Sequence, residues 1–328
     1  MKIGNVSQTV LRRSVLKQLH TVRKESVITP SAEEMCSGIQ PAEGEQVLFS
    51  NVSIFGDEKD LAVFAIAHVI NDLATRGAEP VGVNLSILLP PYAYESRLKT
   101  MLELAERAAA SQNIQIMNAK AEINPVIKKS IVTAVGTGTL QKGRLIQSGM
   151  GKAGQDIVLT NWIGTEGMLR IVREKEEELS KRFVPAFMEQ VKRQDCFLFA
   201  VKELTLAREY GVSAMHQITD GGILAALWNI AEASGTGLEA RLEDISIKQE
   251  TIEICEYFHL NPYQMTSVGS VLLVTNDGEG LTRFLREAEV EASNIGRLTG
   301  GNDRVIWNHA EKRFIDRPAQ DELLKIYM

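Results

Sequence analysis

A two-domain mixed α/β (α+β) protein is what this sequence predicts, on three observations. At 328 residues the chain is long for a single hydrophobic core. Runs with strand character alternate with runs of helical period along most of its length. Midway, residues 149–154 read Gly-Met-Gly-Lys-Ala-Gly between two apolar strands, a glycine density that marks a linker. The boundary is placed near Ser148, giving domains of residues 1–148 and 149–328.

Bulk properties narrow the function classes. Hydrophobic residues at 44% and charged residues at 24% suit a folded globular chain and not a disordered one. A formal net charge of -6 without a long basic cluster argues against nucleic acid as a partner. Cys36, Cys196 and Cys255 are scattered, lack metal-type spacing and suit a reducing compartment. The longest apolar run, residues 61–70, is interrupted by His68 and too short to span a bilayer, and the N-terminus lacks the apolar core of a signal peptide. These readings predict a cytoplasmic protein with no membrane partner.

In chain order, residues 1–20 space Val10, Leu11, Val15, Leu16 and Leu19 as a short amphipathic helix. Residues 47–54 read as a strand, and Asp60 caps the helix of residues 61–76. That helix is apolar nearly all round, which predicts burial between layers; Asn71 and Asp72 interrupt it, and Gly77 ends it. Residues 81–89 form a buried strand stopped by Pro90-Pro91, followed by a helix at Glu95–Ser111. Strands at 114–117 and 130–140 follow.

The second half opens with a strand at Asp156–Thr160 and a turn at 162–167 into a helix whose solvated continuation is the charge run 173–182. Helical segments at 184–193 and 196–210 lead to residues 215–237, the stretch around which the chain is organised. There a β-prone run passes through Thr219 and Asp220 into Gly221 and Gly222, then into a helix carrying Ile223, Leu227, Ile230 and Ala231 and closed by Ser234-Gly235. Thr219 is the expected N-cap, and the two glycines would leave first-turn N–H groups open to an anion at the positive end of the helix dipole. The same pattern also serves simply to join a strand to a helix. Strands at 238–242, 267–274 and 305–307 and helices at 249–258 and 281–288 complete the reading.

Several separated stretches resemble one family. They are Lys2-Ile3-Gly4 with Val10-Leu11; residues 67–80 (Ala-His-Val-Ile-Asn-Asp-Leu-Ala-Thr-Arg-Gly-Ala-Glu-Pro); Leu88-Leu89-Pro90; Gly164-Thr165-Glu166-Gly167; the 215–237 stretch; residues 250–262; and Ser267-Val268-Gly269. In this order, over most of the chain, they resemble the superfamily of aminoimidazole ribonucleotide (AIR) synthetase, selenophosphate synthetase, thiamine-monophosphate kinase and the hydrogenase maturation protein that dehydrates a carbamoyl group. The likeness is greatest to the AIR-synthase-related, hydrogenase-maturation-factor-like branch. It implies an AIR-synthase-like fold in which the N-terminal sheets of a homodimer pair into a barrel and the C-terminal α/β domain covers a cleft. It further implies ATP in that cleft, its phosphates held by metal ions, and chemistry at the γ-phosphate that transfers to or activates a small molecule.

Carried over residue by residue, the resemblance assigns Asn71 and Asp72 to the nucleotide and Asp72 to metal and catalysis. Glu33, in Ala32-Glu33-Glu34, matches an early acidic motif and is a weaker nucleotide or metal ligand. Thr219, Asp220, Gly221 and Gly222 match the phosphate turn. His216 is either a general base near neutral pH or a structural histidine. Three positions depart from the family pattern: Asn51 stands where relatives carry an aspartate; residues 118–122 match a family turn and place Lys120 where a metal ligand is expected; and Gln217 stands where the phosphate turn begins with an acid. Divalent-ion affinity follows oxygen-ligand charge, so these changes argue against strong Mg2+ dependence. Lys120 either replaces a metal ion as a fixed positive charge, and so enters the catalytic set, or is a solvated turn lysine. No cysteine follows Cys255, so thiol chemistry on a C-terminal cysteine has no residue here. Two readings stand: an ATP-using enzyme with an eroded metal site, or a non-catalytic dimeric binding or assembly protein of the same descent.

Overall fold

A computed structural model describes residues 1–34 and 36–328 of the chain. Its backbone divides into two compact units: residues 1–74 with 78–145, and residues 75–77 with 146–328. Among the described residues no helix is long and apolar enough to cross a membrane.

The N-terminal unit contains β1 (Gly4–Asn5), α1 (Gln8–Val10), β2 (Glu45–Gly56), α2 (Leu61–Thr75), β3 (Glu79–Leu89), α3 (Glu95–Ser111), β4 (Gln115–Ile123) and β5 (Ser130–Gln141). The predicted N-terminal helix is broken up: α1 gives way to a π-helical turn over Leu11–Val15 and a 3-10 turn over Leu16–Gln18. The five strands pair in the order β1-β4-β3-β5-β2, with β3 and β4 parallel and the other pairs antiparallel.

One face of this sheet lies under α2. Val69 and Leu73 press on Gly136 of β5, where an added Cβ would come within 2.9 Å of Val69. Ile54 of β2 and Val132 and Ala134 of β5 are buried on that face, as are Phe64, Ile66 and Ile70 of α2. The side chains that alternate with them point to the other face. There the register lines up Asn51, Val135, Asn84 and Asn118 in one row and Ser53, Thr133, Ser86 and Lys120 in the next. Phe49 and Phe55 of β2 are 70% and 37% exposed on the same side.

The turn expected over 118–122 is instead the middle of β4. Ala119, Ala121 and Ile123 are buried while Lys120 between them is exposed. The sequence Asn-Ala-Lys-Ala-Glu-Ile alternates with strand period, and parallel pairing to β3 fixes it.

The C-terminal unit contains β6 (Asp156–Thr160), α4 (Thr165–Glu174), α5 (Glu176–Arg182), α6 (Pro185–Lys192), α7 (Val201–Tyr210), β7 (Ala214–Gln217), α8 (Gly222–Ser234), β8 (Gly237–Arg241), α9 (Gln249–Tyr257), β9 (Val271–Thr275), α10 (Gly278–Glu287), β10 (Ala292–Thr299), β11 (Arg304–Asn308) and β12 (Glu311–Phe314). Seven strands pair in the order β12-β11-β8-β10-β6-β9-β7. Ile223, Leu227 and Ile230 of α8 join Leu159, Leu272, Val274 and Leu298 of the sheet in one core. The charge run is a separate helix, α5, broken from α4 at Lys175, and β10 and β12 complete a sheet that sequence patterning left short.

The glycine-dense stretch after Ser148 is packed and not a loose tether. A Cβ on Gly149 would lie 2.5 Å from the Ala233 carbonyl oxygen, and one on Gly151 2.6 Å from Leu298. These glycines let the chain pass against the end of α8 and against β10, a use that composition alone does not separate from a linker.

Candidate functional site around the α8 turn

β7 delivers the chain to Gln217, and α8 begins five residues later. Gly221, in the left-handed region at φ 78°, is the N-cap residue, in place of the expected Thr219. Thr219 contributes its backbone carbonyl, which accepts the Gly222 N–H at 2.9 Å. The Gly221 N–H donates at 2.8 Å to Oδ2 of Asp321, a residue from the far C-terminal segment. Both glycine N–H groups that the sequence offered to a phosphate therefore have protein partners.

The glycines have a packing reason as well. A Cβ on Gly222 would fall 2.6 Å from the Tyr263 carbonyl oxygen and 2.7 Å from the Met265 nitrogen; one on Gly221 would be 3.2 Å from the Ala319 carbonyl oxygen. The 263–265 backbone crosses Gly222 at distances only glycine allows, while a Cβ on Gly221 would be crowded by the Ala225 side chain at 2.8 Å. Asp220 is exposed and Thr219 half-buried, and neither side chain has a hydrogen bond among the described residues. On β7, Nδ1 of His216 lies 2.9 Å from Ser148 Oγ, which donates to the Met215 carbonyl at 3.2 Å. That contact ties β7 to the segment before β6.

Asp321 was not singled out in the sequence. Its local signal is a turn cap: Oδ1 accepts the Leu323 N–H at 2.9 Å at the start of the 3-10 turn Glu322–Tyr327. Its partnership with Gly221 spans 100 residues and leaves no local mark. Burial pushes the Asp321 carboxyl up to about 6; the N–H bonds from Leu323 and Gly221 oppose this, and the charges of Glu166 and Asp220 add to it. In the unfolded chain an aspartate titrates near about 3.9. The folded protein thus holds this proton more tightly, and the stabilisation it provides is full below the unfolded value and lost as pH rises through about 6. Unfolding free energy should fall by about 1 kcal/mol between pH 5 and 7 from this group. Urea titrations at both pH values should show this component in the native chain and its absence in Asp321→Asn; an equal pH dependence in the two would contradict the assignment.

The remaining candidates lie in the N-terminal unit and do not form one cluster within it. Asp72, on α2, accepts a hydrogen bond from Ser50 Oγ at 2.8 Å on the helix-covered face of the sheet. Asn71 beside it is fully buried. Asn51 and Lys120 point to the opposite face, on β2 and β4, three strand spacings apart, about 14 Å. Glu33 is bound by Arg12, which holds its carboxyl below the usual carboxylate range. The side-chain alternation of β2 is what parts Asn51 from Asp72. Among the described residues, no three or more His, Cys, Asp and Glu side chains gather to hold a metal ion. Asp72 is engaged by Ser50 and Glu33 by Arg12.

The family model for the AIR synthase related protein N-terminal domain matches residues 42–140, and that for the C-terminal domain matches residues 152–308. The chain belongs to the AIR synthase related family. Within that family it is 22% identical, over 98% of its length and 97% of the relative's, to a protein of Methanocaldococcus jannaschii that carries a hydrogenase expression/formation name. It is also 22% identical to carbamoyl dehydratase HypE of Rhodobacter capsulatus, over 81% of this chain and 79% of the relative. Among solved structures, the hydrogenase maturation protein HypE of E. coli shares the fold with a TM-score of 0.79 at 19% identity, over 98% of this chain and 100% of that one. A complex of HypE with ATP matches with a TM-score of 0.75 at 14% identity, over 97% of this chain and 96% of that one. The AIR-synthase two-domain fold expected from the sequence motifs is the fold observed.

Proposed function

We propose that this AIR synthase related protein is a homodimeric ATP-binding protein whose nucleotide site depends little on divalent metal and serves phosphoryl transfer to, or activation of, a small molecule. The observation that carries the reading is Lys120. It stands exposed in mid-strand without an ion pair among the described residues, at the position where the family pattern expects a metal ligand. A lysine there supplies a positive charge to phosphate directly. The ATP complex of HypE, which shares this fold nearly end to end, supports the choice of nucleotide. In this reading the N-terminal domain, residues 1–148, provides the nucleotide contacts and the pairing surface; Asn51 shares the sheet face of Lys120, whereas Asp72, bonded to Ser50 under the other face, and fully buried Asn71 stand outside that contact set. Thr219 and Asp220, in the C-terminal domain of residues 149–328, have side chains without a hydrogen bond among the described residues. The Gly221 and Gly222 N–H groups are already engaged and contribute no phosphate cradle as they stand.

A second reading, binding or assembly without turnover, is favoured by Asn51, Lys120 and Gln217 standing where the family resemblance implies acidic or metal-binding residues. Calorimetry with ATP and a non-hydrolysable analogue, each with and without magnesium, tests the first reading. Affinity should change less than about threefold on adding magnesium and fall about tenfold in Lys120→Ala. Strict magnesium dependence, or an unaffected Lys120→Ala, would overturn the role given to the lysine; no binding would remove the nucleotide reading. Phosphate release by the bound protein separates enzyme from binder.

A further inference from the structure

The C-terminal unit encloses a cavity of 230 Å³ between α8, the turn at Pro262–Gln264, β11, and the segment running from β12 to Ala319. Its inner wall is apolar, with Leu224, Leu242 and Ile306. This volume lies below the range of about 300–1,000 Å³ typical of drug-sized ligands, so the occupant is small.

Polar groups at the cavity are uncommitted. The Tyr263 hydroxyl is half-buried and has no hydrogen bond among the described residues; burial pushes its pKa up, which keeps it a donor. The side chains of Asn308, Asp316 and Arg317 likewise have no partner among the described residues. Arg313 also lines the cavity but donates to Glu311 at 2.9 Å. Glu311 answers the charge of Arg313, so Arg317 is the lining cation without an ion pair among the described residues, beside Asp316. Asp321 already answers the nearby Gly221 N–H, so recognition of an anionic group falls to Arg317 and Tyr263.

We propose that this cavity binds a small monocarboxylate with an apolar aryl or branched body. The body fills the space against Leu224, Leu242 and Ile306. The carboxylate meets the planar fork of Arg317, which matches its two oxygens, and the Tyr263 hydroxyl. Asp316 discriminates by repulsion: a phosphate monoester would bring a second negative charge beside it. The site belongs wholly to the C-terminal unit and stands independently of the ATP reading.

Ligand-observed NMR titration of the full chain with indoleacetate, and with neutral indoleacetamide of nearly the same shape, tests this. The acid should bind at least about tenfold more tightly than the amide, and Arg317→Gln should remove most of that difference. Leu242→Trp, which fills the cavity from a half-buried position, should abolish binding of both. Equal affinity for acid and amide, undiminished binding in Leu242→Trp with a native unfolding midpoint, or no binding of indoleacetate would each overturn the proposal. Arg317 lies on the surface, so its variant keeps the test decisive if the tryptophan variant fails to fold.

Discussion

Replacing Gly222 with alanine is expected to lower the unfolding free energy by about 3 kcal/mol, with or without nucleotide present. At φ 65° an L residue is strained by about 1–2 kcal/mol, and the new Cβ would stand 2.6 Å from the Tyr263 carbonyl oxygen and 2.7 Å from the Met265 nitrogen. Those are backbone atoms and cannot swing aside as a side-chain end would. Relief requires the 262–265 segment to move off α8, which opens the wall that carries Tyr263 and weakens a buried contact at the head of the helix. Urea denaturation of the variant should show the loss directly. If Gly222→Ala kept the native midpoint and lost only ATP affinity, the glycine would be there for phosphate and not for packing.

Phe49→Asp is expected to weaken self-association by about a hundredfold, turning a dimer into a monomer at micromolar concentration as read by light scattering. The argument starts from the sheet of the N-terminal unit. β2 is its edge strand, 12 residues long, and its uncovered side carries Phe49 and Phe55 at 70% and 37% exposure. Ile131 and Leu88 continue the apolar row from Phe55 across β5 and β3. A long edge with exposed aromatics is a liability unless another surface covers it. The barrel-like pairing expected from the family resemblance would cover this one, and a carboxylate at Phe49 would then be buried without a partner. Native protein that is monomeric at micromolar concentration would contradict the pairing itself; a dimer untouched by Phe49→Asp would move the interface elsewhere.

Much of the fold was legible because it is written in local periodicity. The apolar circumference of α2, the proline stop after β3 and the Gly235 cap of α8 each have a local physical cause, and each appears where the pattern puts it. What failed locally failed for identifiable reasons. β4 runs through Lys120 because pairing with β3 stabilises an alternation that looks too polar to be a strand by itself. The glycines after Ser148 and at the head of α8 read as a linker and a phosphate turn, since composition reports only that a side chain is missing. The structure adds what fills its place: Ala233 and Leu298 in one case, the 263–265 backbone and Ala319 in the other.

The candidate site follows the same division. By itself the sequence determined the family and the layered α/β architecture, because residue identity and period are local properties. Tertiary structure decided which of the candidate residues meet. Strand alternation sends Asn51 and Lys120 to one face and leaves Asp72 beneath the other. The most consequential partner of the α8 turn is Asp321, which reaches Gly221 from 100 residues away. No local pattern encodes that contact, since its free energy arises only when the folded chain buries a carboxylate against a backbone N–H.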